Sequence, residues 1–239
     1  MNIAVVFAGG VGKRMNSGGM PKQFLELHGK PIIIYTLVVF QKCEKIDAIC
    51  ISCLDAYRDY MHELCNRFGI TKVQWIVAGG ATGQESIYNG LHEVWQHCDR
   101  DTVVLIHDGV RPIISTDLVE RNIASVEQNG NAISCSRAIE TPAEVDENGV
   151  IRMVSDRQCS IIAKAPQSFR LGDIHDAHTK AREEQKGDFI DSASMMRHYG
   201  HVLHMVECNW DNIKITSPTD YYIFRALAEA RENSQIFGL

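Results

Sequence analysis

The chain has 239 residues, 45% hydrophobic and 23% charged, an ordinary globular composition long enough to bury a full core. Its net charge of −6 argues against nucleic acid as a general partner, so any anion site must concentrate basic residues locally. The apolar run Ile32–Phe40 is too short for a membrane span and no secretory leader pattern follows Met1, so a soluble, cytoplasmic protein with no membrane partner is expected.

The first apolar run, Ile3–Phe7, is expected to be a buried strand, and it feeds Gly9-Gly10-Val11-Gly12-Lys13-Arg14 and then Pro21-Lys22-Gln23-Phe24. Pro31 suits a first helical turn and opens a helix that continues to Phe40. A strand at Ala48–Cys53 precedes a helix over Asp55–Phe68 that stops at Gly69. A strand at Val73–Val77 leads to a helix over Gln84–Cys98, whose stripe is Ile87, Leu91, Val94 and Trp95. Thr102–Ile106 is the next strand, and Thr116–Gln128 a helix capped by Ser115 or Thr116. Ala132–Ser136 is a fifth strand. This alternation predicts an α/β fold with a mainly parallel, doubly wound sheet.

From Arg137 to about Cys159 the pattern changes to short β-like pieces around Asn148-Gly149, the signal of a projecting hairpin. It reads either as a dimerisation arm over about 137–160 or as a surface hairpin without a partner. A helix near Gly172–Glu184, a strand at Val202–Val206 and a helix capped by Ser217-Pro218 complete a single domain over 1–239.

The eight cysteines are scattered. Cys50 and Cys53 lie three apart in a strand, on opposite faces, so they read as reduced core residues and not as a ligand pair. His175-x-x-His178 and His201-x-x-His204 lack further ligands and read as surface or packing histidines.

In an open parallel sheet, ligands bind beyond the carboxyl ends of the strands. Candidate motifs follow the first, third and fourth strands: Gly9–Arg14, Gly79–Ser86 and His107–Pro112. The opening loop lacks the Gly-Lys-Ser/Thr of a P-loop and the third glycine of a dinucleotide fingerprint. It is either a tight strand-to-helix connection or an anion cradle in which Arg14 and Lys22 clamp a triphosphate. Asp108, at a strand end, suits one-carboxylate binding of Mg²⁺ or a simple turn. Arg111 precedes Pro112 and is held out of the helical region. Lys214 lies in a strand-like run between Ile213 and Ile215, which is equally the pattern of an exposed edge.

Taken in order, Ala-Gly-Gly-x-Gly-x-Arg-Met, Pro-Lys-Gln-Phe, Gly-Gly-x-x-x-x-x-Ser-Ile, His-Asp-x-x-Arg-Pro, Ala-Pro-Gln-Ser-Phe and Asn-Ile-Lys-Ile-Thr cover essentially the whole chain. The set resembles the cytidylyltransferases that act on 2-C-methyl-D-erythritol 4-phosphate and their relatives that act on ribitol 5-phosphate. The resemblance implies a Rossmann-like nucleotidyltransferase fold, a homodimer with exchanged arms, and a Mg²⁺-dependent transfer of CMP from CTP to a polyol phosphate. It implies that Arg14, Lys22 and Lys214 stabilise the transition state, and that Asp108 holds the metal and helps orient the polyol. It also implies that Ala8, Gly9, Gly10, Gly12, Gly80, Ser86 and Asp108 bind the nucleotide. Arg111 would contact the acceptor, together with Thr141 and Arg157 from the partner's arm.

The chain departs from the methylerythritol pattern around the acceptor. Gly83 stands where arginine is usual, and the stretches Glu140-Thr141-Pro142-Ala143, Lys164-Ala165-Pro166-Gln167 and Ile190-Asp191-Ser192-Ala193-Ser194 differ. The Ala8-Gly9-Gly10 start, Gly80-Ala81-Thr82-Gly83-Gln84 and Ala165-Pro166-Gln167-Ser168-Phe169 look more like pentitol-phosphate enzymes, a resemblance that favours ribitol 5-phosphate or a similar pentitol phosphate over methylerythritol 4-phosphate. The rival readings are a sugar-1-phosphate nucleotidyltransferase with another base preference and a nucleotide-binding regulatory domain.

Overall fold

The computed structural model describes residues 1–10 and 20–237. In chain order its strands are β1 (Asn2–Ala8), β2 (Glu26–Leu27), β3 (Lys30–Pro31), β4 (Ala48–Cys53), β5 (Val73–Ala78), β6 (Val103–Asp108), β7 (Asn131–Arg137), β8 (Ala143–Val145), β9 (Ile151–Val154), β10 (Ile161–Arg170) and β11 (Met205–Glu207). Its helices are α1 (Ile32–Lys42), α2 (Arg58–Arg67), α3 (Gly83–His97), α4 (Thr116–Asn129), α5 (Leu171–Glu183), α6 (Ser192–His198) and α7 (Pro218–Phe237).

β1 is apolar on both faces. Ala4, Val6 and Ala8 enter one core layer and Ile3 and Val5 the other. Such a strand belongs inside a sheet covered on both sides, and β1 pairs in parallel with β4 on one flank and β6 on the other. The seven-stranded sheet runs β11-β7-β10-β6-β1-β4-β5. All its strands share one direction except β10, which is antiparallel to both neighbours. Helices α1, α2 and α4 cover one face through residues such as Leu37, Leu64 and Val119. Helices α3, α5 and α6 cover the other through Leu91, Ile174 and Met196. Helix α7 closes a third apolar cluster, with Phe224 against Val110, Ile113 and Ile215.

The expected strands and helices are present, with ends shifted by up to three residues; the expected helix Asp55–Phe68 is a 3₁₀ turn, Asp55–Tyr57, followed by α2. β10 is the element that the hydrophobic pattern hides. Its buried stretch contains Gln167 and Ser168, whose side chains are satisfied internally: Ser168 Oγ donates to Asn122 Oδ1 at 3.2 Å, and Gln167 bonds across to the start of α6. Polar residues with buried partners break the alternation that marks a strand. The expected strand Val202–Val206 is the shorter Met205–Glu207. Lys214 is not in a strand; residues 212–216 form an irregular segment, held where the Ile215 N–H donates to the Val110 carbonyl at 2.9 Å.

Cys50 and Cys53 sit in opposite core layers, and burial raises both thiols, Cys53 to about 11. Among the described residues no group of three or more His, Cys, Asp or Glu is arranged to hold a metal ion. His175 and His178 are packing residues: His175 stacks on Trp95 at 4.4 Å, and His178 is buried. β8 and β9 form the expected hairpin, turned by Gly149 at φ +79° and by Asp146, which accepts the Asn148 and Val150 N–H groups. Among the described residues no helix is long and apolar enough to cross a membrane.

α3 crosses β1 at Gly90, where an added Cβ would stand 2.9 Å from Val5 Cγ1. Gly90→Val is therefore expected to lower stability by about 1–3 kcal/mol through overpacking. Thermal denaturation should show a lower midpoint; an unchanged midpoint would contradict the close approach.

Candidate active site

β6 ends at Asp108, whose carboxylate is almost fully buried. Two cations meet it. Lys214 Nζ lies 2.5 Å from Oδ1, and Arg111 Nε donates to Oδ2 at 2.9 Å. Burial pushes the Asp108 carboxyl up, but the Lys214 ammonium and the Arg111 guanidinium outweigh it and hold the group below the usual carboxylate range. Arg111 is also fixed by backbone. Arg111 Nη1 donates to the Asn212 carbonyl at 2.8 Å, and Asn212 Nδ2 donates to the Ala165 carbonyl at 2.7 Å. Beneath them His107 is fully buried, with Nε2 3.1 Å from the Arg111 carbonyl. Burial pushes His107 down to about 4, so at neutral pH its Nε2–H is the donor to that carbonyl.

A single 3₁₀ turn, Lys22–Phe24, brings a third cation to the same place. Gln23 Nε2 donates to the Ala8 carbonyl at 2.7 Å, tying the turn to the end of β1. Phe24 is buried and stacks on Tyr57 with centroids 5.0 Å apart. Lys22 Nζ donates to the Ile215 carbonyl at 3.0 Å, one residue from Lys214.

The loop after β5 forms the opposite wall. The Gly80 N–H donates to Ser86 Oγ at 3.0 Å, and that hydroxyl donates to the Thr82 carbonyl at 2.9 Å. Thr82 caps α3 by accepting the Glu85 N–H at 3.1 Å, while Glu85 accepts the Ala81 N–H at 2.8 Å. A Cβ at Gly9 would lie 2.5 Å from Ser86 Oγ, so glycine is what lets the end of β1 pack against this loop.

Two cavities open between these walls. One of about 200 Å³ is lined by Ala8, Gly9, Gly10, Lys22, Gly80 and Ser86. The other, of about 420 Å³, is lined by Arg111, Lys164, Gln167 and Asp191. Asp108 and Lys214 line both, so the ion pair stands where the cavities meet.

Of the residues singled out in the sequence, Ala8, Gly9, Gly10, Lys22, Gly80, Ser86, Asp108, Arg111 and Lys214 thus converge. Gly12 and Arg14 lie outside the described residues. Thr141 and Arg157 are exposed on the arm and line neither cavity. The structure adds Gln23, Asn212, Lys164, Gln167 and Asp191. All lie in or beside the quoted motifs, but their roles depend on contacts with distant backbone that spacing does not reveal.

The IspD family profile, 2-C-methyl-D-erythritol 4-phosphate cytidylyltransferase, matches residues 2–230. The chain belongs to this family. It is a nucleotidyltransferase, and membership implies CTP and a sugar-alcohol phosphate as substrates. Among its relatives is a ribitol-5-phosphate cytidylyltransferase of Streptococcus agalactiae serotype III (strain NEM316), 51% identical over 239 residues and 100% of both chains. Another of that name, from Vibrio parahaemolyticus serotype O3:K6, is 48% identical over 238 residues, again covering 100% of both chains. In fold, this cytidylyltransferase matches the crystal structure of 4-diphosphocytidyl-2C-methyl-D-erythritol synthase from Anaerococcus prevotii at TM-score 0.82 and 21% identity, covering 96% of each chain. The Rossmann-like architecture is shared.

The buried histidines make its stability depend on pH. His107 and His178 fall from 6.5 to about 4 and about 3, chiefly through burial. Below pH 6.5 the unfolded chain takes protons that the folded chain refuses, so stability is full above that pH and falls as pH drops. Between pH 6.5 and 5 the two groups together should cost roughly 3 kcal/mol. Urea titrations at a series of pH values would check this. His178→Phe should remove about half of the dependence, and a flat profile in the wild type would contradict the assignment.

Proposed function

We propose that this cytidylyltransferase transfers CMP from CTP to ribitol 5-phosphate or a closely similar pentitol phosphate, releasing pyrophosphate. The observation that carries the reading is the Asp108–Lys214 pair shared by two adjacent cavities, since one reactant in each would meet at the pair. The smaller cavity, with its glycine floor and Lys22, suits the nucleotide. The larger suits the acceptor. The high identity to ribitol-5-phosphate enzymes supports the choice of acceptor. Methylerythritol 4-phosphate, the acceptor in the family's name, is the second reading.

An oxygen of the acceptor's phosphate attacks the α-phosphorus of CTP. A new P–O bond forms, the bond from the α-phosphorus to the bridging oxygen breaks, and its electron pair leaves with pyrophosphate. A phosphate monoester is already an anion, so no general base is required. The chain's contribution is alignment and neutralisation of the charge crowding on the α-phosphate. Lys22 and Lys214 supply that charge, with Arg14 as a third cation. Asp108 holds Lys214 and Arg111 in place and keeps them from splaying apart.

The donor set also fits Mg²⁺. A lone buried carboxylate at the junction is what a hard cation uses when phosphates and water complete its shell. Asp108 would hold it, sharing oxygens that already face Lys214 and Arg111. When bound, the ion would neutralise triphosphate charge. The protein is further proposed to be a homodimer through the arm, where Ile139, Val145, Ile151 and Val154 are all more than half exposed. Such a surface calls for a partner. The partner's arm would bring a second copy of Thr141 and Arg157 to the acceptor cavity.

Purified protein with CTP and Mg²⁺ should release pyrophosphate faster with ribitol 5-phosphate than with methylerythritol 4-phosphate. Lys22→Ala should lower kcat by about 10²-fold or more while leaving the melting midpoint unchanged. No release with any pentitol phosphate would overturn the acceptor assignment.

A further inference from the structure

The larger cavity carries three cations, Arg111, Lys164 and Lys214, and three carboxylates, Asp108, Asp188 and Asp191. Most of these charges are accounted for within the chain. Asp108 is bonded to both Arg111 and Lys214. Asp191 accepts Gln167 Nε2–H at 2.8 Å and, as the cap of α6, the Ser194 N–H at 2.8 Å. Two groups remain: Asp188, which makes no ion pair within 4.0 Å among the described residues, and Lys164. Its ammonium donates to the Trp210 carbonyl at 2.7 Å, a neutral acceptor, and among the described residues it makes no ion pair with a carboxylate within 4.0 Å. The side chain is partly buried on β10, and burial, with the nearby Arg111 charge, disfavours its protonated form more than Cys208 and Asp211 favour it. A partly desolvated ammonium with three donors and one neutral acceptor has spare capacity that an anion in the cavity would match.

The position of Lys164 indicates which anion. It lines the larger cavity and not the smaller one. It is therefore removed from the glycine floor assigned to the nucleotide and stands on the acceptor's side of the Asp108–Lys214 pair. The one strongly anionic group of a polyol phosphate is its phosphate. From the absence of an ion pair at Lys164 and its place in the larger cavity, we infer that Lys164 binds the acceptor's phosphomonoester and, with Arg111, sets the enzyme's affinity for that substrate. This rests on the acceptor lying in the larger cavity, as proposed above. Lys164 is a binding residue in this account. The charge that stabilises the transition state comes from Lys22 and Lys214.

The test is steady-state kinetics of Lys164→Met, which keeps the length and packing of the stem, beside Lys164→Arg. In the Met variant KM for ribitol 5-phosphate should rise about 10- to 100-fold, the loss of one charge-assisted hydrogen bond to a phosphate. KM for CTP should stay within about 2-fold, since that ligand lies in the other cavity. Inorganic phosphate should compete with the acceptor in the wild type, and this inhibition should weaken in parallel. The Arg variant should recover most of the affinity. Three results would overturn the inference: an unchanged acceptor KM, an equal rise in both KM values, or a rise accompanied by a lower melting midpoint in both variants, which would make Lys164 a tie to Trp210 and nothing more. If the wild type itself turned over no pentitol phosphate, the proposed function would fall instead, so the two failures are distinguishable.

Discussion

A carboxylate buried at the end of a central strand has to be matched by positive charge, and much of this molecule follows from that requirement. Asp108 is carried inward by β6, whose residues are all buried. Left alone, it would be protonated or destabilising. Two cations keep it ionised, and they come from distant parts of the chain: Arg111 from the turn directly after β6, and Lys214 from the segment before α7. Arg111 reaches the Asn212 carbonyl across 101 positions. The close of the fold at its C-terminal end is therefore also the completion of the ion cluster. Asn212, Ile215 and Phe224 are packed or bonded so that this segment lies against Val110.

The same cluster explains why the binding region is divided in two. The glycine-rich end of β1 and the Ser86-tied loop after β5 leave room for one ligand. The turn after β6, β10 and the start of α6 leave room for another. Asp108 and Lys214 face both. Lys22 is attached to the same backbone through the Ile215 carbonyl. A small displacement of the 212–216 segment would thus disturb both substrates at once, and its anchoring by several side chains suits an enzyme whose chemistry depends on alignment.

Much of the architecture was legible in the sequence because parallel strands buried on both faces leave unbroken apolar runs, as at Ile3–Phe7 and Ala48–Cys53. β10 was not, because its buried Gln167 and Ser168 are satisfied by Asp191, Ala193 and Asn122, partners distant in sequence. Lys214 stands out by its motif, but Ile213 and Ile215 alternate with it and so read as a strand. The apolar neighbours pack under α7 and not in a sheet. The site was legible as residue types at strand ends. What spacing could not supply is how those residues are held: Gln23 on the Ala8 carbonyl, Asn212 on the Ala165 carbonyl, and His107 neutral beneath Arg111.

The central claim is that Asp108 and Lys214 act as one unit at the junction of the two substrates. A double-mutant cycle on kcat/KM for pyrophosphate release, with Asp108→Asn, Lys214→Met and the double variant, addresses it directly. If the pair is a unit, the double variant should be no worse than the more damaged single variant, within about 3-fold. If its loss equals the product of the two single losses, the residues act independently and the account is wrong.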